Sequence, residues 1–158
     1  MCGWVSPSLR RRPSRVSRRS SSAFSKSHIV HGGAQCLFIT YDTSETPISQ
    51  VQHIWELPQD WTPNSVEALA LWVYGDPDNA VESFYVELQD DAGKSAMVTH
   101  PDSSVVTKNN WQELRFTLAD FAGMNLTAIK KMSIGVGDRG STQPGGFGML
   151  YIDDICLH

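Results

Sequence analysis

Aromatic residues alternate with aliphatic ones in the run EALALWVYG, and polar residues alternate with apolar ones in the runs SFYVELQ and WQELRFTL. Successive residues of a β-strand point to opposite sides, so each run has an aliphatic or otherwise apolar side and a second side that carries its aromatic or polar residues. The second sides combine flat aromatic rings with carboxylate, amide and guanidinium groups. A sugar ring suits this mixture, because aromatic planes contact its C–H faces and polar groups bind its hydroxyls. We therefore predict a shallow carbohydrate-binding surface formed by Trp72, Tyr74, Tyr85, Glu87, Gln89 and Arg115, with Glu113 beside them.

The apolar sides of the same three runs are expected to form the core. They contribute Leu69, Leu71, Val73, Phe84, Val86, Leu88, Leu114, Phe116 and Leu118. Trp61 is predicted to join the core, whereas Trp55 and Trp111 are left open, since either could cap an end of the fold. An alternative use for Trp72 and Tyr74 also stays open, namely packing under a loop or against another subunit.

Turn residues divide the chain from residue 34 onward into short runs with strand character and almost no helical periodicity. Clusters of Gly, Pro, Asp and Asn separate the runs, as in GDPDN, DDAGK and PGG. The predicted strands are 36–41, 52–57, 67–74, 83–89, 95–99, 111–118, 131–136 and 149–157. About eight short strands indicate an all-β fold, an antiparallel β-sandwich. The helical candidate, 118–124, suits a crossover between the two sheets.

The chain has 158 residues, of which 41% are apolar and 19% charged, and this composition is that of one globular domain. No apolar run approaches the roughly 18 residues of a membrane-spanning helix. The beginning of the chain has no apolar stretch of the kind found in signal peptides. The sequence therefore predicts no membrane insertion.

Charge is distributed unevenly along the chain. Residues 1–27 carry seven basic side chains and no acidic one, whereas residues 28–158 carry six basic and seventeen acidic side chains, a net charge of −11. We expect the first segment to be a disordered basic tail rich in Arg and Ser, and the second to be the folded domain. The tail is interpreted either as a basic arm or transit-like peptide, or as a leader without a structural role. An acidic domain repels nucleic acid, so nucleic acid is not an expected partner.

Three cysteines, Cys2, Cys36 and Cys156, lack the CxxC spacing of a zinc site. Cys36 and Cys156 each fall in a predicted strand, so a disulfide between them is conceivable if the two strands are neighbours. Two free thiols are the alternative, and the sequence does not decide between them.

Four stretches of the chain resemble a known family in their order and spacing. They are PQDWTPNSVEALALWVYGDP, FYVELQDDAGKSAMVTHPD, WQELRFTLADFAG and IGVGDRGSTQPGGFGMLYIDDICL. Over residues 31–158 the chain resembles the galactose-binding-like β-jelly-roll modules of secreted bacterial proteins, carbohydrate-binding modules in particular. The ending YIDDICL is the most specific part. The resemblance implies a jelly-roll sandwich that binds a polysaccharide or glycan without catalysis, in a secreted or cell-surface protein.

The resemblance also implies one structural calcium ion at the edge of the sandwich. By position, Asp153 matches the carboxylate ligand of the closing strand, and Gly33, with Gly32, resembles the turn that offers backbone carbonyls. Strict alternation puts Asp153 on the inward side with Ile155 and Leu157, where a buried carboxylate needs a cation or hydrogen-bond donors. A calcium ion and a set of N–H or hydroxyl donors are the two alternatives.

The sequence departs from the family before residue 28. A first strand with an acidic ligand belongs there, but the stretch contains no Asp or Glu. A missing edge strand would expose the backbone N–H and C=O groups of its neighbour, which favours a homodimer through the open edge.

Two other functions compete with carbohydrate binding. A structural or adhesion module of the same fold would use its exposed aromatic residues against neighbouring domains. A small glycosidase or lyase would need two carboxyl groups about 5 to 10 Å apart, for which Glu87 and Glu113 are the outward pair. The chain has no G-x-S-x-G, H-E-x-x-H or P-loop motif. The sequence therefore predicts a protein that is not an enzyme.

Overall fold

The computed structural model describes residues 22–25 and 29–158, with side chains from residue 29 onward, and it shows two antiparallel β-sheets. The strands are β1 (Ser22–Ser25), β2 (Cys36–Asp42), β3 (Ile48–Gln59), β4 (Ala68–Tyr74), β5 (Phe84–Asp90), β6 (Ser95–Thr99), β7 (Gln112–Thr117), β8 (Ile129–Gly137) and β9 (Phe147–Leu157). The five-stranded sheet has the order β1-β2-β9-β4-β7, and the four-stranded sheet has the order β3-β8-β5-β6. The predicted all-β sandwich is confirmed.

Consecutive strands of the described residues alternate between the two sheets, except in the antiparallel pairs β1 with β2 and β5 with β6. The last strand, β9, lies between β2 and β4, so the two ends of the domain meet in one sheet. This path is that of a jelly roll. The eight strands that the sequence predicts are all present.

A further strand, Ser22–Ser25, pairs with β2. Four residues that composition assigned to the basic tail therefore join the sheet, and residues 1–21 and 26–28 lie outside the described part of the chain. The strand occupies the edge of β2 that the sequence was expected to leave open. The homodimer through that edge consequently has no support from the strand pairing.

The apolar sides of the strands meet between the two sheets. The nine residues predicted for the core are all buried: Leu69, Leu71, Val73, Phe84, Val86, Leu88, Leu114, Phe116 and Leu118. Trp61 is buried as predicted, and Trp55 contacts its ring edge-on with a centroid distance of 5.8 Å. Burying one Leu, Val or Phe side chain stabilises the folded state by about 1.5–3 kcal/mol. The packing between the two sheets is therefore the main source of stability.

A buried asparagine joins three parts of the fold. The side-chain amide of Asn79 donates to the carbonyl oxygens of Val106 at 2.6 Å and Met149 at 2.7 Å. Its own carbonyl oxygen accepts from the Met149 N–H at 2.8 Å. These bonds connect the turn after β4 to the 3-10 helix Ser103–Thr107 and to β9.

Helical structure in the described residues is limited to short 3-10 turns, Pro63–Ser65, Ser103–Thr107, Leu118–Asp120 and Leu126–Ala128. The third begins where the sequence predicts a helical crossover. None of these turns has the length or apolar character needed to span a membrane.

The buried carboxylate of Asp90 makes the stability of the fold depend on pH in the acidic range. Its two oxygens accept the N–H groups of Lys94 at 2.9 Å and Asn125 at 3.1 Å. The bond from Asn125 is the largest influence that lowers the pKa of Asp90. Folding therefore favours the ionised form, and its stabilisation is complete above the unfolded-state pKa of about 3.9. It is lost as the pH falls through the lower folded-state pKa.

We expect the Tm of the wild type to fall more steeply between about pH 5 and pH 2 than the Tm of Asp90→Asn. Thermal melts followed by circular dichroism across this range measure the two slopes. Asp91→Asn, at the exposed neighbouring position, is the control and should keep the wild-type slope. Equal slopes for Asp90→Asn and the wild type would contradict the prediction.

Candidate functional site

A row of aromatic side chains crosses the outward face of the five-stranded sheet. Phe38 of β2 lies opposite Tyr151 of β9, and Tyr151 lies opposite Tyr74 of β4. Trp111, which precedes β7, lies next to Tyr74. Neighbouring ring centroids are 5.0, 6.2 and 5.6 Å apart along this row, and all four rings are partly exposed. We call this surface, together with Trp72, the aromatic face.

Trp72 points away from the core, as predicted, but a segment that precedes β2 covers its ring. The imidazole of His31 stacks on the indole of Trp72 with a centroid distance of 3.8 Å and an angle of 16° between the planes. The same imidazole meets Trp111 edge-on at 5.5 Å. We call residues 29–33 the strap.

Two consecutive carboxylates of β9 hold the strap in place. The backbone N–H groups of His31 and Gly32 donate to Oδ2 of Asp153 at 2.9 and 3.1 Å. The Nδ1 atom of His31 lies 2.7 Å from Oδ2 of Asp154. The imidazole is therefore fixed both through its own backbone and through its ring.

A β-bulge in β9 turns both carboxylates to the outer side of the sheet. Asp154 has a left-handed φ of +44°, and the pairing of β4 with β9 shifts register next to Trp72. Asp153 is consequently opposite Trp72, on the aromatic face. The prediction that Asp153 shares the inward side with Ile155 and Leu157 is wrong, because the extra residue of a bulge resets the alternation.

The surroundings of Asp153 do not fit a calcium ion. Its Oδ2 already accepts the two strap N–H groups, and its Oδ1 accepts the Asp154 N–H at 2.8 Å. A calcium ion takes about six to eight oxygen ligands and would face these N–H groups instead. Within the described residues, no three His, Cys, Asp or Glu side chains gather as metal ligands. Calcium with Asp153 and Gly33 as ligands stays a prediction that this geometry does not favour.

An ion pair borders Trp72 on the side away from Asp153. Glu113 of β7 lies opposite Trp72, and its carboxylate accepts the Arg115 guanidinium at 3.0 and 3.2 Å. Exposed pairs of this kind add little to stability, so these side chains are free to rearrange toward a bound molecule. Of the six predicted binding residues, Trp72, Tyr74 and Arg115 share the aromatic face.

The other three, Tyr85, Glu87 and Gln89, belong to β5 and therefore to the four-stranded sheet. The outward sides of the two sheets point in opposite directions, so the prediction of one surface with all six residues is wrong. Alternation fixes the side of a strand on which a residue lies, but it does not fix the sheet. For the same reason Glu87 and Glu113 cannot flank one substrate.

The outward side of the four-stranded sheet, which we call the polar face, is centred on Tyr85 and Glu87. They were expected to be open to solvent, but they are only 0% and 7% exposed. The Tyr85 ring lies over Gly135, where a Cβ atom would come within 2.6 Å of the Tyr85 hydroxyl. This hydroxyl donates to Oε1 of Gln50 at 2.8 Å. Burial raises the pKa of Tyr85 to about 12, so the hydroxyl stays protonated near neutral pH.

Arg139, in the loop after β8, covers Glu87. Its Nη2 and Nη1 atoms donate to Oε2 and Oε1 of Glu87 at 2.7 and 3.2 Å. Ser133 lies opposite Glu87 in the sheet, and its buried hydroxyl has no hydrogen-bond partner. Gln89 is partly exposed and donates to the carbonyl of Gly93 at 3.1 Å. The polar face thus combines a neutralised ion pair with amide and hydroxyl groups.

Cys36 and Cys156 are both buried and no disulfide joins them, so the alternative without a disulfide between these two holds. The Cys36 thiol donates to the carbonyl of Ile29 at 3.1 Å and thereby fastens the start of the strap. Burial, with the charge of Asp153 as a second cause, raises the pKa of the Cys36 thiol.

The sequence interpretation missed Phe38 and Tyr151 and left Trp111 undecided. The sequence does contain a local signal for these two rings, because both lie in runs of alternating residues. Tyr151 is two residues before Asp153, and Phe38 is two residues after Cys36. That signal gives a side of each strand, whereas the row of rings depends on which strands are neighbours.

Comparison with known proteins finds similar structures but no similar sequences. No protein-family model and no curated protein matches the chain. A solved exo-beta-agarase superposes with a TM-score of 0.63 and 14% identity over 89% of this chain and 22% of its own length. A family 30 carbohydrate-binding module gives a TM-score of 0.61 and 13% identity over 92% of this chain and 86% of the module.

A family 11 carbohydrate-binding module from Clostridium thermocellum is also similar. It was solved in complex with a β-1,3-1,4-mixed-linked tetrasaccharide, and it gives a TM-score of 0.59 and 10% identity over 88% of this chain and 82% of the module. Identities this low establish the fold alone. The described residues have the β-sandwich of these carbohydrate-binding modules, and the chain spans about a fifth of the agarase.

Proposed function

We propose that this chain is a carbohydrate-binding module whose aromatic face binds a polysaccharide chain without altering it. The observation that carries the proposal is the unbroken row of Phe38, Tyr151, Tyr74 and Trp111 across three strands to the start of β7. The shared fold with family 11 and family 30 modules supports it. A secreted or cell-surface location belongs to the same proposal.

The tilt of the rings indicates the kind of chain that fits. Neighbouring rings in the row make angles of 40°, 80° and 66° with each other. A flat crystalline surface would need coplanar rings, whereas a twisted single chain turns its sugar faces from one residue to the next. We therefore expect soluble polysaccharides to bind better than crystalline ones.

Hydrogen-bonding groups border the row and suit the hydroxyls of a sugar. The Tyr74 hydroxyl donates to the side-chain oxygen of Asn109, which is itself exposed. Arg115 and Glu113 offer donors and acceptors on the other side of Trp72. Together these groups offer both hydrogen-bond donors and acceptors, as the hydroxyls of a glycan can use.

The polar face is a second place where the same class of ligand could bind. Its unpartnered Ser133 hydroxyl, beneath the Glu87 and Arg139 pair, favours it. It has no exposed aromatic ring among its described strand residues, since Tyr85 is fully buried. The aromatic face is therefore the first choice.

Binding to a panel of mixed-linked β-glucan, hydroxyethylcellulose, xylan and agarose tests the proposal. Affinity electrophoresis selects the polysaccharide, and isothermal titration calorimetry measures Kd. We expect Tyr74→Ala to weaken binding at least fivefold, because it removes the middle of the row. Gln52→Ala, at an exposed position of the polar face, should leave Kd unchanged.

The two variants also decide where binding occurs. Loss of binding in Gln52→Ala with normal binding in Tyr74→Ala would move the site to the polar face. Folded protein that binds no member of the panel, either as the wild type or as the variant His31→Ala that uncovers Trp72, would refute the carbohydrate proposal.

Contact with a neighbouring domain is the second candidate function for the aromatic face. Phe147 and Met149 of β9 are 63% and 40% exposed, and they extend this face along the strand with apolar surface. Exposed apolar patches of this kind favour protein contacts. Normal glycan binding in Phe147→Ala would separate this extension from the carbohydrate site.

A further inference from the structure

We propose that the strap is a cover that a glycan must displace from Trp72, so that the aromatic face exists in a closed and an open form. The structure shows the closed form. This inference rests on the proposed function, because it names what regulates access to that same surface.

The imidazole of His31 occupies the place where a sugar ring would stack. It lies 3.8 Å from the indole of Trp72 with only 16° between the planes, which is face-to-face contact. The imidazole covers this face of the indole. One ring at a time can therefore use the outer face of Trp72, and His31 and a sugar exclude each other there.

The strap is held by contacts that can be exchanged. Its bonds to Asp153 are two backbone N–H groups, and its ring contact to Asp154 joins side chains that are 29% and 42% exposed. A partly exposed pair of this kind contributes little, since water can replace the lost contact. Opening the strap therefore costs an amount that the binding of a polysaccharide can offset.

The bulge in β9 sets the closed position. The left-handed residue Asp154 directs its carboxylate toward the strap, and a Cβ atom on Gly32 would come within 2.7 Å of Oδ2 of Asp154. Glycine at position 32 thus allows the strap to lie close to the carboxylate. Two conformers of one short segment, biased by a ligand, are sufficient for such a cover.

Opening would lengthen the binding surface. His31 also contacts Trp111 edge-on at 5.5 Å, so its departure uncovers the part of Trp111 that it contacts. Trp72, two residues before Tyr74 on β4 and opposite Glu113, would then add a ring beside the row. A bound chain gains one more stacking position in the open form.

The test uses His31→Ala and Asp154→Gly, with a soluble mixed-linked β-glucan and an agarose oligosaccharide as probes. Glycine is chosen at position 154 because it adopts the left-handed conformation without strain. We expect both variants to bind about two- to tenfold more tightly than the wild type, the range that corresponds to one aromatic contact. His158→Ala is the control, because the backbone of His158 makes its hydrogen bonds to Glu67 and Ala68.

A ligand-free measurement tests closure directly. In the closed form, the indole ring current shifts the carbon-bound ring protons of His31 upfield in the NMR spectrum, and Trp72→Ala abolishes this shift. Titration with the probe that binds should move these protons to ordinary histidine positions.

The outcomes separate the cover from the function. Equal Kd values for the wild type and His31→Ala, or histidine protons that stay shifted while the probe is bound, would refute the cover and leave carbohydrate binding intact. Absence of binding in the wild type and in both variants would refute the proposed function and the cover with it. Binding by His31→Ala alone would support both.

Discussion

Replacing Trp111 by alanine is expected to weaken polysaccharide binding roughly thirtyfold, the equivalent of about 2 kcal/mol. Trp111 contacts Tyr74 at 5.6 Å and His31 at 5.5 Å, so it joins the aromatic row to the covered indole of Trp72. Its removal takes away the indole of the row, and Trp is one of the residue types that contribute most at binding hot spots.

Calorimetry with mixed-linked β-glucan and agarose measures this effect. Trp111→Phe keeps an aromatic plane and should retain most of the affinity. Leu57→Ala, at a 74% exposed apolar residue of the other sheet, is the matched surface control. A thirtyfold loss in Leu57→Ala, or wild-type affinity in Trp111→Ala, would contradict the assignment of the surface.

Replacing Asn79 by alanine is expected to lower the free energy of unfolding by about 3 kcal/mol. The change leaves the carbonyls of Val106 and Met149 and the N–H of Met149 without the partner described above. A buried polar group that loses its partner costs about 1–3 kcal/mol. For a domain with a total stability of about 5–15 kcal/mol, this is a large part.

Urea unfolding followed by tryptophan fluorescence checks the value. At a pH where the carboxyl is protonated, Asn79→Asp keeps the acceptor and replaces the two amide donations by a single O–H donor, so its stability should lie between those of alanine and the wild type. Asn110→Ala, at an exposed asparagine, should be within about 0.5 kcal/mol of the wild type. A loss in Asn79→Ala no greater than in Asn110→Ala would show that water takes over the three bonds.

The strands and their inward sides could be predicted from the sequence, because both depend on local alternation. Leu71, Val73 and Phe84 alternate with other residues in short runs, and each is fully buried. Hydrophobic burial selects one side of a strand wherever the strand pairs, so this part of the fold needs no knowledge of topology.

The composition of the candidate site could not be predicted in the same way. Tyr85 and Trp72 both occupy outward positions, but they belong to sheets on opposite sides of the sandwich. Sheet membership depends on which distant strands pair, and one alternating run carries no information about that. The same limit hid Phe38 and Tyr151, whose neighbours in the row come from strands far apart in sequence.

The orientation of Asp153 depended on a single backbone conformation. Asp is among the few residues other than Gly that adopt a left-handed φ with some frequency. Asp154 is therefore compatible with a bulge, but its presence in the sequence does not predict one. At Ser22–Ser25 the composition led to a different error. The stretch has little apolar side-chain surface to bury and was assigned to the tail, but it forms a strand by pairing with β2.

The bulge at Asp154 inserts one extra residue between two halves of β9 that each alternate regularly. Before it, Leu150 and Ile152 are buried while Tyr151 lies on the aromatic face, and after it Leu157 lies opposite the buried Leu69. Outward residues of the strand can therefore change during evolution while the inward ones keep the interior sealed. A descendant that deleted Asp154 alone would keep every later side chain on its present side, because Ile155 would then pair with Leu71 in a regular ladder, and it would lose the carboxylate that contacts His31.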